Sequence, residues 1–311
     1  MKKATRAAYG EALAEYGSNE RIIVLDADLS KSTMTASFKE LYPERFFNTG
    51  IAEANMISSA AGMATCNKIV FASSFAIFAA VRAAEQIRNS VCYPKLNVKI
   101  AATHAGISVG EDGATHQAIE DIAIMRALPN MTVIQPCDGR ETKQAVKAII
   151  DYNGPVYLRL GRLAVEDIYD NSYEFQIGKG VQLKDGCDVT IIATGLMVKP
   201  ALDAYEALRA QGILARVINI HTIKPIDKEI IIKAARETGA IVTAEEHNII
   251  GGLGSAVCEV LCDELPAPVK RVGIEDKFGK SGKPEDLINL YSLTAENIVI
   301  KAKIAMALKR Q

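Results

Sequence analysis

Most features that would place a sequence in a simple class are missing here. The six cysteines include no CxxC pair. That sets aside zinc ribbons and disulfide scaffolds in favour of reduced, mostly buried thiols in a cytoplasmic protein. No stretch is long enough to cross a bilayer. The longest near-apolar run, IVFASSFAIFAAV at 69–81, contains two serines and is bounded by Lys68 and Arg82. The start, MKKATRAAYGEALAEYG, has lysines with no apolar core behind them, so it reads as an amphipathic helix and not as a signal peptide. Neither sign of charge dominates. Lys+Arg number 36 against Asp+Glu 37, a net charge of −1, so nothing electrostatic points to nucleic acid or to a membrane. Internal repeats, low-complexity tracts and heptad seams are absent. Histidine is scarce, four in 311 residues, and none is spaced as HxxxH.

What is present is a chain long enough for two ordinary domains, 49% hydrophobic and 23% charged. Strand-like runs alternate with helical patterns. RIIVLDADL (21–29), NVKIAAT (97–103), MTVIQPCD (131–138) and PVYLRL (155–160) read as buried parallel strands with helices between. The pattern breaks after about residue 165 into a polar, aromatic, glycine-punctuated stretch. It resumes as DVTIIATG, LARVINIHTIKP, GAIVTAEEH and VKRVGIED. The expectation is α/β, with two doubly wound parallel-sheet domains at 1–165 and 186–311 joined by a linker at 166–185.

Several stretches invite a chemical reading. The segment THAGISVGEDGATHQ (103–117) follows a predicted strand, where parallel sheets gather functional groups. It holds His104, His116, Glu111 and Asp112 among glycines 106, 110 and 113. Those glycines permit backbone conformations closed to other residues, and the histidines are tunable donors. A solvated turn is the plain alternative; a polar small-molecule site accounts for the composition better. Glu53 sits at the start of a small-residue helical segment, where the helix dipole alone would favour it. Phe75 and Phe78, spaced as if on one helical face, are either core or an aromatic wall for a flat heterocycle. Arg6, Arg159 and Arg162 could each grip a phosphate or carboxylate, or merely pair on the surface. GGLGSAV (251–257) is a weak dinucleotide signal and reads as a tight entry into a helix.

Taken in order, these stretches resemble the carboxyl-terminal half of transketolase over nearly the whole chain. The resemblance is carried by ATR (4–6), DADLSKS (26–32), TGIAEANM (49–56), SSFAIF (73–78), the block THAGISVGEDGATHQAIEDIAIMRALPNMTVIQPCD (103–138) and TAEEHNIIGGLGSAV (243–257). It implies thiamine diphosphate as cofactor and transfer of a two-carbon ketol unit from a ketose phosphate to an aldose phosphate, as in the pentose phosphate pathway. Glu53 would share a proton with the aminopyrimidine ring. Phe78, with Phe75 nearby, would stack on that ring, and Asp28 would lie near the cofactor. Asp112 would bond a sugar hydroxyl. His116 would stand at the reacting carbonyl end as the second catalytic group. Arg6, Ser32, His104 and Arg162 would hold the substrate phosphate.

The chain departs from the family pattern at Ala52, Val81 and Ala105, which bears on fine substrate specificity. The larger departure is the absence of any GDG, the start of the family's diphosphate and Mg²⁺ motif. The resemblance therefore implies one subunit of a split transketolase with no metal ligand of its own. A separate amino-terminal chain carrying GDG and a downstream Asn would supply the Mg²⁺ ligands, with homodimerisation inside a heterotetramer. A synthase of the deoxyxylulose-phosphate type, a specialised sugar-phosphate transketolase and a non-catalytic binding module are the alternatives.

Overall fold

The computed structural model describes residues 2–309. The strand Ile69–Phe75 shows how the sequence builds the first sheet. All seven of its residues are buried, and successive side chains alternate between faces. Val70 and Ala72 enter one apolar cluster with Leu25, Met56 and Ile100. Ile69 and Phe71 enter another with Tyr9, Leu13, Val24 and Ile134. A strand covered on both faces must be apolar throughout, and that is the run the sequence displays.

Seven strands form this sheet, in the order Thr222–Lys224, Thr132–Ile134, Val156–Arg159, Val98–Thr103, Ile69–Phe75, Ile22–Asp26, Phe46–Asn48. All neighbours are parallel except Thr222–Lys224, which pairs antiparallel with Thr132–Ile134. A second sheet of five strands runs Val269–Ile274, Ile241–Asn248, Val189–Ala193, Ala215–Asn219, Val181–Lys184. Its last strand is again antiparallel to its neighbour. The same alternation divides its core, with Ile191 and Val242 on one face and Ile192 and Ile241 on the other. The chain is thus α/β, two helix-covered sheets with parallel centres, as the alternation predicts.

Three expectations need correction. LARVINIHTIKP is not one strand: Ala215–Asn219 stays in the second sheet, while Thr222–Lys224 crosses to the edge of the first. Residues 181–184 of the expected linker are strand, and Ala164–Glu166 pairs antiparallel with Lys2–Ala4. The rest of the linker lacks regular structure but is tied down. Asp138 Oδ2 accepts from the Ile168 and Tyr169 backbone N–H groups at 2.7 and 2.9 Å. Tyr173 Oη donates to Glu141 at 2.7 Å, and Tyr169 and Tyr173 stack at 3.8 Å. Finally, Phe75 and Phe78 do not share a helix. Phe75 ends a strand, and Phe78 opens the widened π-helical turn Phe78–Arg82.

His221 lies at the crossover between the sheets. It is fully buried, with its ring against Phe175 at 4.2 Å and its Nδ1 2.9 Å from Thr222 Oγ1. Burial holds it down to about 3 from 6.5. A group held down on folding lends stability that is present above its unfolded value and is lost as pH falls toward its folded one. His221→Gln is therefore expected to flatten the acid limb. Between about pH 6 and pH 4 the parent should lose about 1.4 kcal/mol per pH unit more than the variant. Urea titrations across that range measure this; parallel stability–pH curves would exclude the role.

Candidate active site

The carboxyl ends of the first sheet's strands present most of the residues singled out above. Ile69–Phe75 delivers Ser74 and Phe75, and Val98–Thr103 delivers His104. The helix Glu53–Ala64 begins at Glu53, whose side chain is 1% exposed. Its carboxylate stands in the first turn, where the helix dipole also favours it, but it is buried. Ser74 Oγ donates to Oε1 at 3.4 Å, and Arg82 Nη1 donates to Oε2 at 3.0 Å. Arg82 is 52% exposed and also lies over the Phe78 ring at 4.8 Å. The buried carboxylate has one long hydroxyl contact and one cation free to swing into water.

A run of rings leads away from this carboxylate. Phe75 and Phe78 stack at 5.9 Å with 11° between planes. His104 stacks on Phe75 at 3.8 Å, and His116 meets Phe78 and Phe75 edge-on at 5.3 and 6.4 Å. The expected pair thus stacks, brought together by a strand-to-helix turn in place of a helical face. Beyond His104 lie the cations. Arg6 Nη1 donates to the Ser32 carbonyl at 2.6 Å and stands 3.4 Å from His104 Nε2. Burial, then the nearby Arg162, lowers the Arg6 pKa. Arg162 donates to the Val109 carbonyl and lies 3.5 Å from Glu111. His104 adopts a left-handed backbone, φ 57°. Burial first, then Arg6, Arg162 and His116, hold its imidazole down to about 3. At neutral pH it offers hydrogen bonds without charge. Two guanidiniums beside a neutral imidazole make a setting suited to an anion.

The structure thus brings together Glu53, Phe75, Phe78, His104, His116, Arg6, Arg162 and the main chain of Ser32. Asp112 is exposed at the tip of the glycine loop. Asp28 is exposed too, at φ 66°, bonded to the Asn48 amide at 2.9 Å. The buried acid of that segment is Asp26, which accepts from Thr33 and Thr35 at 2.6 and 2.9 Å. Arg159 is no anion grip. It is 1% exposed and pairs with buried Asp121 at 2.7 Å. Among the described residues no group of three or more His, Cys, Asp or Glu is placed to hold a metal ion, and no helix is long and apolar enough to cross a membrane.

Sequence reading missed Arg82 and Gln117. Arg82 follows Phe78 by four residues, the spacing at which side chains meet on a helix, and that was the available signal. Gln117 is the last residue of the quoted loop, 2% exposed, and donates to the carbonyls of Ile107, Gly110 and Lys280 at 3.2, 3.3 and 2.9 Å. It stands inside the block 103–138 that carries the resemblance, and that was the available signal.

Comparison with known proteins adds a common ancestry to this geometry. The family model described as "Transketolase, pyrimidine binding domain" matches residues 1–167, and "Transketolase, C-terminal domain" matches residues 178–298. Over 300 residues the chain is 57% identical to a putative transketolase C-terminal section of Methanocaldococcus jannaschii, covering 95% of this chain and 94% of that one. It is 45% identical over 295 residues to a 6-deoxy-6-sulfo-D-fructose transketolase subunit of a Clostridium species, covering 94% and 92%. A solved split-gene transketolase, described as an inactive β4 tetramer, superposes with a TM-score of 0.92 at 54% identity and covers 100% of both chains.

Proposed function

This chain belongs to the transketolase family, and on that footing we propose that it is the carboxyl-terminal subunit of a two-chain, thiamine-diphosphate-dependent transketolase. Its reaction moves a two-carbon ketol unit from a ketose phosphate to an aldose phosphate. When bound, thiamine diphosphate supplies a nucleophilic carbon and an electron sink for that unit.

The fit of this chain to the cofactor's ring end rests on what stands beside Glu53. An aminopyrimidine needs an acid to share a proton with and a flat apolar face to lie on. The buried Glu53 carboxylate, with a half-exposed guanidinium as its closest partner, and the Phe78 ring are adjacent through Arg82. In this reading Glu53 holds and shares the proton, Phe78 and Phe75 orient the ring, and Asp28 lies at the cofactor's margin. His116, edge-on to Phe78, gives or takes a proton at the carbonyl end. Asp112 meets a sugar hydroxyl. Arg6, Arg162, neutral His104 and Ser32 receive the phosphate.

The observation that carries the reading is the ring cluster of His104, Phe75, Phe78 and His116, with the Arg6 and Arg162 guanidiniums beside His104 and Glu53 reached from Phe78 through Arg82. The diphosphate and Mg²⁺ fall to an amino-terminal chain bearing GDG and a downstream Asn, in a heterotetramer. The lack of GDG here supports that division. A specialised donor sugar is a second reading, favoured by the 45% identity to a subunit whose name specifies a sulfo-sugar.

The test recovers the tagged chain from native lysate with Mg²⁺ and thiamine diphosphate, identifies what accompanies it, and assays the eluate. The expected result is a GDG-bearing partner and activity with xylulose 5-phosphate plus ribose 5-phosphate, while the isolated chain is inactive. A partner without that activity redirects the search to other ketose phosphates, and consumption of pyruvate points to the synthase class. Recovery with no such partner and no cofactor binding overturns the proposal.

A further inference from the structure

We infer that the second-sheet half of this chain is a clamp that sets the loop 106–117, and that Gln117 is the positioning residue through which it places Asp112 and His116. The placement of a sugar by those two residues rests on the proposed function; the clamp itself does not.

The loop cannot hold its own shape. Gly106, Gly110 and Gly113 take φ of 82°, 88° and 77°, values that leave the chain little local preference for one conformation. Its backbone makes single-turn bonds, Gly110 N to Ile107 O, Gly113 N to Gly110 O and His116 N to Gly113 O, at 3.0–3.2 Å, and its base closes through Gly106 N to Ala118 O at 2.9 Å. Its other restraints come from farther along the chain, among them Arg162 on the Val109 carbonyl. Glu246, 3% exposed and on the strand Ile241–Asn248, accepts the Ser108 backbone N–H at 2.7 Å. Its carboxylate packs so close to Gly106 that a Cβ there would stand 2.3 Å from it. At the other end, Pro284 and Ser281 press on Gly110 and Gly113. Between these holds sits the Gln117 amide. Its Nε2 reaches two loop carbonyls, Ile107 and Gly110, and the Lys280 carbonyl of the second half. Two amide hydrogens thus span three acceptors and join the loop to the segment beneath it.

Gly279 makes the junction possible. A Cβ on it would come within 1.7 Å of Gln117 Oε1. That oxygen is buried without a partner, so the amide is retained for its donors. Gly279 is not among the positive-φ glycines. An alanine there is compatible with the backbone and acts only by pushing the Gln117 amide aside. It is therefore a cleaner probe than deleting Gln117, which would also open a cavity.

The experiment compares Gly279→Ala and Gln117→Glu with the parent, in the full chain and in the assembled complex. Gln117→Glu keeps the shape and turns oxygens toward the three carbonyls. In the full chain, hydrogen exchange of peptides spanning 110–117 should speed up about tenfold in both variants, while Ser108, held by Glu246, stays as slow as in the parent. In the complex, kcat/KM for the ketose phosphate should fall about tenfold, because both Asp112 and His116 move, with thiamine diphosphate affinity within about threefold. Unchanged exchange over 110–117 overturns the clamp, whatever the activity. Exchange that rises equally across the whole chain also overturns it, because Gln117 would then be general packing. Faster loop exchange with an unmoved kcat/KM overturns the positioning role. If the parent complex turns over no ketose phosphate, the functional reading fails, and exchange alone decides the clamp.

Discussion

If the proposed function holds, replacing Glu53 by alanine in the assembled enzyme is expected to lower ketol transfer about 10²–10⁴-fold, the range associated with losing a positioned proton-transfer group. Folding should survive the change. Glu53 is buried, but its cationic partner Arg82 is half in water and can swing out when the carboxylate goes, so no charge is stranded in the interior. Glu53→Gln sharpens the test. It keeps the volume and the Ser74 contact and removes the ability to hold and release a proton. Steady-state turnover of both variants beside their melting temperatures makes the measurement. Activity within a few-fold of the parent in either variant, at full assembly, would remove Glu53 from the chemistry.

Asp121→Ala is expected to cost about 3–5 kcal/mol of stability, the penalty for leaving one member of a buried pair uncompensated. Both partners are essentially inaccessible, at 0% and 1% exposed, and they meet through two bonds, Arg159 Nε to Oδ2 at 2.7 Å and Nη2 to Oδ1 at 3.0 Å. Tyr157 Oη adds a third at 2.7 Å. Burial alone would push the Asp121 carboxyl up, yet Arg159 overrides it and keeps the pKa below 3.8. Arg159 also donates to the carbonyls of Ala118 and Glu246, at 3.0 and 3.1 Å. It therefore ties a strand of the first sheet to one of the second. The double variant Asp121→Leu/Arg159→Met should recover part of the loss, because neither member of the pair is then left buried alone, although buried Glu246 loses a neighbouring cation and the Ala118 and Glu246 carbonyls lose a donor. Urea unfolding of the single and double variants decides. A single-variant cost below about 1 kcal/mol would contradict the assignment.

Legibility from sequence followed the length scale of the interaction. The central strands announce themselves because a strand covered on both faces is apolar along its whole length, as in RIIVLDADL and NVKIAAT. The strands Phe46–Asn48, Val181–Lys184 and Thr222–Lys224 have three or four residues each. That is too short for any period to show, and their state is set by which edge they reach. The candidate site divides in the same way. Glu53, Phe78, His104 and His116 stand in local motifs whose residue types already suggest chemistry. Glu246 on Ser108 joins residues 138 apart, and Arg159 on Asp121 joins residues 38 apart. Neither leaves a trace in local spacing, which is how Arg159 could pass for an anion-binding arginine. Phe75 and Phe78 stack, but a turn out of a strand brings them together, not a shared helical face.

The strand Thr222–Lys224 has a consequence for how the molecule comes into being. It is the last piece of the sheet whose strand ends carry Glu53 and His104, and it is made long after the rest of that sheet. While the chain is being synthesised, Thr132–Ile134 waits with its backbone donors and acceptors unshielded, an edge open to any other strand in the cell. The sheet bearing the candidate site thus reaches its final width only once the ribosome has passed Lys224. Order of synthesis, and not only final packing, then governs when this half of the protein becomes safe from its neighbours.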